Sequence, residues 1–572
     1  MDIKNKKRIA ILGGGPSGLF VYKRLIESGT NDFEIDIFER KAELGSGMPY
    51  SSEGANDEHI TNVSDNEVPN IVTPMSDWIH TAPAALLERF KIDPNKFNEY
   101  KVVPRLLFGQ YLSAQFEILR KTASELGIIT RTHFQSTVTD ISYNLEDKTV
   151  TVEILNRDSE EFDFAIICTG HKWPIRHEGK IPGYYDAPYP PQKLVQKLNH
   201  AIAVKGSSLT AIDAIRTLAR HNGSFEKGTD GNLSFQLLPE SRAFKIMMHS
   251  RSGMLPAVRF HLEDSHLSNK SLLTQEEIEN HRKNNNGFLS LDFIFEKDFK
   301  DIFRDRDPDF YQRIKDLSIE DFVAEMMELR ENLDPFQLLK AEYVQAEKSI
   351  KRHESVYWKE MLAVLSFAMN HPAKYLSAED MQRLQKVLMP LISIVIAFVP
   401  QKSCEELLAL HQAGVLDLVP VGADSTVEPQ NKGGILYNFT DSNNKSQSVY
   451  YKTFIDCVGQ PHLSYNDFPF KSLLSQKAIS PARLKFKSTQ AGHDAFTKDQ
   501  ETIQKDAHGD YFMNVSGIAI NDNFQIIDQY GAYNKNLYIM AVPYIGGLNP
   551  DYSGLDFCEA ASLRIVEDIL RD

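Results

Sequence analysis

Four cysteines, Cys168, Cys404, Cys457 and Cys558, are spread over 572 residues, too sparse for a disulfide framework. No C-x-x-C occurs, which weighs against both a dithiol–disulfide redox centre and a structural zinc site. Basic residues are in the minority. The net charge of −15 leaves no cationic face able to neutralise many phosphates, which argues against nucleic acid as a partner. Long apolar runs are missing too: the most apolar stretch, residues 388–399, is too short to span a bilayer and contains Pro390. The opening residues 1–8 lead directly into the first apolar segment and leave no room for a secretory leader. A cytoplasmic, reducing location and no membrane partner are therefore expected. What remains, 42% hydrophobic and 25% charged, is ordinary globular composition. A chain of this length is expected to hold two or three domains.

Residues 8–40 carry the clearest positive signal. Arg8-Ile9-Ala10-Ile11-Leu12 is an apolar run of strand type, followed at once by Gly13-Gly14-Gly15-Pro16-Ser17-Gly18 and then by helical spacing over 19–26. A second strand, 34–38, ends at Glu39, with Arg40 beside it. This is a βαβ start with G-x-G-x-x-G in the turn and an acid at the offset a dinucleotide site needs. Gly13 permits the tight turn, Gly15 lets backbone approach a pyrophosphate, and Gly18 lets helix and strand pack closely. The helix start offers free N–H groups and a positive dipole end to the phosphates. Glu39 is placed to accept hydrogen bonds from the hydroxyls of an adenosine ribose.

Further along, the glycines of residues 44–51 suggest backbone close to a ligand, and 59–63 is too polar for a core strand. A long amphipathic helix is expected from Arg105 to about Leu126, and residues 137–154 alternate as a β-meander turning at Asp147-Lys148. The buried run 164–168 closes on Thr169-Gly170, as a cofactor edge would. Proline and glycine thicken over 173–191 and mark a crossover. A second βα unit follows: strand 200–205, turn Gly206-Ser207-Ser208 with one glycine where the first unit has three, and helix 212–220. Strand 244–250 ends at Arg251, suited to a 2′-phosphate and so favouring NADPH over NADH. A solvated strand-end cation is the plainer reading of the same arginine. From about residue 267 to 414 the pattern is helical. Ser318 caps one helix, whose apolar stripe is Ile319, Phe322, Val323, Met326 and residues 329–333. Strands resume at 450–459, 524–528 and 536–542, and a Gly- and Asn-rich loop, 543–554, leads into a final helix.

These pieces in this order resemble the two-dinucleotide-binding-domain flavoproteins. Gly47-Met48-Pro49-Tyr50, residues 59–63 and Ser250-Arg251-Ser252-Gly253-Met254-Leu255-Pro256 resemble bacterial FAD/NAD(P)-binding proteins. Residues 168–174 with Ile181-Pro182-Gly183 also look like the flavin monooxygenase group. The resemblance implies FAD pyrophosphate on Gly13, Gly15, Ser17 and Gly18, ribose on Glu39 and adenine near Val138. It places Met48 and Asn62 near the flavin ring, Thr169 and Gly170 along the cofactor, and Gly554 at its pyrimidine side. Gly206, Ser208 and Arg251 would hold NADPH. Two departures stand out: Val542-Pro543 replaces the Gly-Asp that holds the ribityl chain in the family, and the signature of ketone-oxygenating members is absent.

The expected fold is α/β: two Rossmann-like domains, the second inserted in the first, plus an α-helical insertion. The divisions are 1–175 and 463–572 for the FAD-binding domain, 176–265 and 416–462 for the NAD(P)-binding domain, and 266–415 for the helices. The resemblance implies an NADPH-dependent oxidoreductase, with oxygen passing from a C4a-peroxyflavin to the amine nitrogen of a small amino acid or amine. Asn62 and His59 are the polar groups expected at the flavin edge; a satisfied loop asparagine and a surface histidine are the plainer alternatives. A flavin reductase or dehydrogenase that never oxygenates, and a flavin-binding regulatory or assembly protein, remain open.

Overall fold

The computed structural model describes residues 6–229, 231–263, 272–461, 463–551 and 554–571. Its first sheet has six strands in the order Gln525–Ile527, Tyr533–Ile539, Phe164–Ile167, β1 (Lys7–Leu12), β2 (Phe33–Phe38), Ile129–His133. All neighbours are parallel except the outermost, Gln525–Ile527, which pairs antiparallel. Ile9, Ala10, Ile11, Ile35, Ile37, Ala165 and Ile166 are fully buried, as expected where helices cover both faces of a parallel sheet. Helix α1 (Pro16–Glu27) buries Leu19, Phe20, Leu25 and Ile26 on that sheet. The closing helix Gly554–Arg571 lies beside it, with Glu559 accepting from Lys23 Nζ at 3.1 Å and from Arg24. The two ends of the chain thus make one domain. The strands expected at 524–528 and 536–542 are Gln525–Ile527 and Tyr533–Ile539. The meander is Val138–Asn144, Thr149–Ile154 and Glu160–Phe162.

The second sheet has five strands, Tyr184–Tyr185, Phe454–Asp456, Ala201–Lys205, Lys245–Ser250 and Leu416–Pro420, all parallel. A second antiparallel meander, Thr426–Pro429, Ile435–Thr440 and Ser446–Tyr451, precedes Phe454–Asp456 just as the first precedes Phe164–Ile167. The two dinucleotide units repeat each other's topology. Their two connections run side by side. Gln460 donates to Lys172 O at 2.8 Å and accepts from Lys172 N–H at 2.9 Å, and Trp173 Nε1–H donates to Gly459 O at 3.1 Å.

The expected helical insertion, 266–415, is helical across most of its described residues. Helix Gln401–Gln412 buries Cys404, Leu407, Ala409 and Leu410 in a core shared by Ile212, Ile215 and Leu218 of the second nucleotide unit and by Phe336, Leu339 and Ala346 of the insertion, so it joins the two. Val258 and Val399 form a parallel bridge, which places the two ends of the insertion next to each other. Residues 264–271, where the expected insertion begins, lie outside the described residues. Within it, Ser318 accepts from Asp321 N–H at 3.0 Å as a helix cap. The buried stripe of that helix is Ile319, Phe322 and Met327, while Leu329 and Leu333 are exposed, because the helical period carries them past the covered face. The expected division 463–572 is also split. A three-stranded antiparallel sheet, Pro481–Lys485, Ile503–Lys505 and Tyr511–Ile518, sends Ala482, Leu484, Phe486, Ile503, Tyr511 and Met513 into the helical core rather than the FAD-domain core. The chain leaves and re-enters the first domain to cap the insertion.

The core of the second unit also holds an ion pair. Arg216 Nε donates to Glu406 Oε2 at 2.7 Å and Arg220 to Glu406 Oε1 at 2.6 Å, with the Arg216 and Glu406 side chains 1% and 2% exposed. Burial works to raise the Glu406 pKa, but the guanidinium of Arg216 holds it below the usual carboxylate value. Removing one member of such a pair strands the other. Glu406→Gln is expected to lower unfolding free energy by about 3 kcal/mol, read from denaturant melts. In the native chain the stabilisation of this carboxylate is present above its unfolded pKa and lost as pH falls through its depressed folded one; the variant's melts should lack that acid dependence.

Candidate functional site

The turn after β1 is built on close approach. Gly13 has φ +117°, and a Cβ there would stand 2.6 Å from the Cys168 carbonyl oxygen. A Cβ on Gly18 would stand 2.1 Å from Gly13 O, and one on Gly15 3.1 Å from Gly47 Cα. Only glycine fits at the first two, which lets strand, helix and the crossover at Cys168 meet with the α1 amides directed outward. The Glu39 carboxylate is buried, accepting from Gly14 N–H at 2.9 Å and Lys41 N–H at 2.9 Å. Each carboxylate oxygen keeps a lone pair for a ribose hydroxyl. Gln135 and Ser136 donate their amides to Lys41 O and Glu39 O, bringing the chain leading to Val138 against the same edge. Arg40 is exposed and paired with Glu53 at 2.5 Å.

Met48 is half-buried in the loop that packs on Gly15. Thr169 follows Cys168, whose amide donates to Leu12 O at 2.9 Å, and Gly170 is exposed next to it. Thr169 Oγ1 is buried without a hydrogen-bond partner among the described residues. An unpartnered hydroxyl next to a glycine turn is the kind of group a bound cofactor satisfies, so these residues fit FAD. At the other side, Gly554 opens the closing helix with φ +73°. Cys558, one turn on, lies 3.5 Å from Ser17 Oγ, bringing the starts of the two helices together. Tyr552 and Ser553 of the expected loop lie outside the described residues.

The second turn is less degraded than its sequence suggests. Gly206 has φ +109°, and its Cβ would stand 2.8 Å from the Cys457 carbonyl oxygen, the same contact Gly13 makes with Cys168. Gly206 N–H donates to His249 O at 2.8 Å as Gly13 N–H does to Phe38 O at 2.9 Å. Ser208 caps helix Leu209–Asn222 with φ −93°, ψ −168°, close to the φ −78°, ψ −164° of Gly15. These angles are open to any residue, so serine serves where the first turn uses glycine. Register pairs Lys205 with His249 as it pairs Leu12 with Phe38, so Ser250 takes the place of Glu39 and Arg251 stands one residue beyond. Arg251 is exposed and forms no ion pair among the described residues.

His59 does not face a cofactor in this conformation. It is fully buried; Nδ1 accepts from Asn56 N–H at 3.1 Å, which leaves Nε2–H to donate toward Asp213 O at 3.1 Å or Thr217 Oγ1 at 3.0 Å. Burial pushes its pKa down, so the ring is neutral and both nitrogens are used. Histidine at the edge of a polar segment gave no sign that a second domain covers it. Asn62 lies half-buried on strand Ile60–Ser64, its carbonyl accepting from Arg259. Around His59 runs a polar seam that the sequence did not reveal. Arg105 Nη1 donates to Asp213 Oδ2 at 2.6 Å and Tyr189 OH to the same oxygen at 2.9 Å. Burial opposes the Asp213 charge, but the Arg105 guanidinium and the hydrogen bond from Tyr189 hold its pKa below the usual value. The seam ties the helix starting at Arg105, the crossover at Tyr189 and helix Leu209–Asn222 together.

Two βαβ units with matching turns, one nested in the other, define a fold with two dinucleotide-binding domains. Residues 10–172 match the FAD-NAD(P)-binding family model, and residues 274–396 match that of the YdhS-like middle domain. The chain is 28% identical over 478 residues, 82% of its own length and 86% of the relative's, to the uncharacterized protein YdhS of Escherichia coli (strain K12). It is 28% identical over 176 residues, 30% of this chain and 35% of the relative, to the thiol-specific monooxygenase of Saccharomyces cerevisiae. Among solved structures it is similar to L-lysine 6-monooxygenase from Pseudomonas syringae, with TM-score 0.44, 12% identity and 99% of each chain covered. Among the described residues no helix is long and apolar enough to cross a membrane, and no group of three or more His, Cys, Asp or Glu could hold a metal.

Adding a methyl at either turn separates the two cofactors. Gly13→Ala is expected to purify without yellow colour, and Gly206→Ala to keep its FAD but resist bleaching by NADPH; visible spectra before and after anaerobic NADPH addition check both.

Proposed function

We propose that the protein is an NADPH-dependent flavin monooxygenase that places one oxygen atom of O2 on the amine nitrogen of a small amino acid or amine, NADPH supplying the electrons that reduce the other to water. The observation that carries the reading is the state of the thiols. All four cysteines are free and buried. Burial pushes the Cys558 thiol, next to the first turn, up to about 12 and that of Cys168 up as well. A thiol exchanges only as thiolate, so buried thiols raised in this way weigh against a dithiol relay at the flavin and favour a small diffusible acceptor. The partial likeness to a thiol-specific monooxygenase supports dioxygen as that acceptor.

Bound FAD would supply hydride acceptance and oxygen activation. The chain's part is to hold and align. Gly13, Gly15, Ser17 and Gly18 present α1 to the pyrophosphate, Glu39 takes the ribose, and Thr169 completes the edge. Gly206 and Ser208 present the second helix to NADPH, with Arg251 taking its 2′-phosphate. Asn62 is assigned to the flavin edge, Met48 beside it. His59 is a positioning residue, fixing strand Ile60–Ser64 against the NADPH-binding helix.

Anaerobic mixing with NADPH should bleach the flavin, and isotopically labelled dioxygen should then label a hydroxylamine product from a panel of amino acids and amines. Stoichiometric hydrogen peroxide with no labelled product across the panel would instead assign a reductase. Arg251→Ala is expected to cut kcat/KM for NADPH about 10–100-fold, the worth of a lost charge-assisted pair, and to leave that for NADH unchanged in steady-state assays.

A further inference from the structure

The loop that leads from strand Tyr533–Ile539 to the closing helix leaves the carboxyl end of the first sheet, where open α/β sheets bind their ligands. Its last described residue before that helix is Asp551, three positions ahead of Gly554. The helical insertion reaches it there. Ser366 and Asn370, both on the rim of helix Tyr357–Met369, are 0% exposed. Ser366 Oγ donates to Asp551 Oδ2, and Asn370 Oδ1 accepts from Asp551 N–H at 2.7 Å. Two residues earlier Asn549, 1% exposed, donates its Nδ2 to Ile545 O at 3.0 Å. These bonds fix which way each amide faces. They leave Asn370 Nδ2 and Asn549 Oδ1 buried with no partner among the described residues. A buried amide group without a partner costs roughly 1–3 kcal/mol, and two on one short loop and the helix packed on it call for a ligand that satisfies them. Among the described residues no charged side chain pairs with Asp551, and its carboxylate has one side-chain partner, Ser366.

We propose that Asp551, Asn370 and Asn549 form a subsite for the cationic amine of the substrate, roofed by the helical insertion. The inference rests on the oxygenase reading and says which part of the chain selects the nitrogen, which takes oxygen only after passing one proton to the Asp551 carboxylate and so regaining its lone pair. An ammonium offers up to three N–H donors, matching the Asp551 carboxylate and the Asn549 carbonyl oxygen. Asn370 Nδ2 is a donor and meets an acceptor on the same molecule. Burial pushes the Asp551 pKa up to about 6. The carboxylate is therefore charged above that pH and attracts a cation there, and it is neutral below.

The probe is n-butylammonium chloride, with n-butanol and sodium butyrate as controls of like length, titrated into the FAD-loaded full chain by calorimetry and by flavin difference absorbance. Saturable binding of n-butylammonium, ten-fold or more tighter than either control, is the expected result. Binding should fade as pH falls through about 6. Asp551→Asn should weaken it about 10-fold or more and flatten that pH dependence, while Asp551→Glu recovers part of the affinity. n-Butylammonium offers Asn370 Nδ2 no acceptor, so Asn370→Ala should weaken it only through the lost hold on the Asp551 N–H, with the pH dependence intact. FAD content and melting temperature report on folding, and the wild-type pH profile tests the idea without any variant. The proposal is overturned by no binding, by equal binding of the controls, by a flat wild-type profile, or by unchanged affinity in Asp551→Asn. If NADPH bleaches the flavin and labelled oxygen enters an uncharged product while n-butylammonium does not bind, the subsite is wrong and the oxygenase stands. If NADPH never bleaches the flavin, the oxygenase is wrong and the titration still reads the subsite.

Discussion

Everything in this molecule is arranged around a place where a Cβ atom cannot be. At Gly13 the first strand hands over to the first helix within van der Waals reach of the Cys168 carbonyl, and that contact brings together three segments remote in sequence: the opening strand, the crossover out of the first unit, and the helix whose amides face the cofactor. The second unit repeats the contact with Gly206 and Cys457. Because both close approaches are steric, they fix where each helix N-terminus stands relative to its strand.

That is also why the nucleotide turns were so legible. Glycine spacing and strand-type runs report backbone geometry directly, and β1, α1, β2, both closing strands and the second βα unit appear within a few residues of where the sequence puts them. A glycine count alone understates the second turn, because Ser208 holds an ordinary backbone conformation and needs no glycine. Arg251 is present at the strand end, yet the register puts Ser250 opposite Glu39's position, and one-residue register is invisible to pattern reading.

What the sequence hid is the packing between segments far apart. Helix Gln401–Gln412 has the same amphipathic pattern as its neighbours in the insertion, and only the structure shows that it also packs on Ile212, Ile215 and Leu218 of the nucleotide unit. The strands Pro481–Lys485, Ile503–Lys505 and Tyr511–Ile518 look like any antiparallel excursion until Leu484 and Met513 are seen in the helical core. His59, Arg105, Asp213 and Tyr189 are scattered singly along the chain; nothing local marks them as one buried seam. Charged residues at such spacing are ordinarily solvated, and burial by another domain is a tertiary fact.

The two peptide connections between the dinucleotide units run together, with the Gln460 amide lying across Lys172 and the Trp173 indole held on Gly459. A pair of rails stitched in this way resists torsion far more than flexure. Twisting one unit against the other would have to break all three of these bonds, so the connections set the direction in which each unit faces before any ligand arrives.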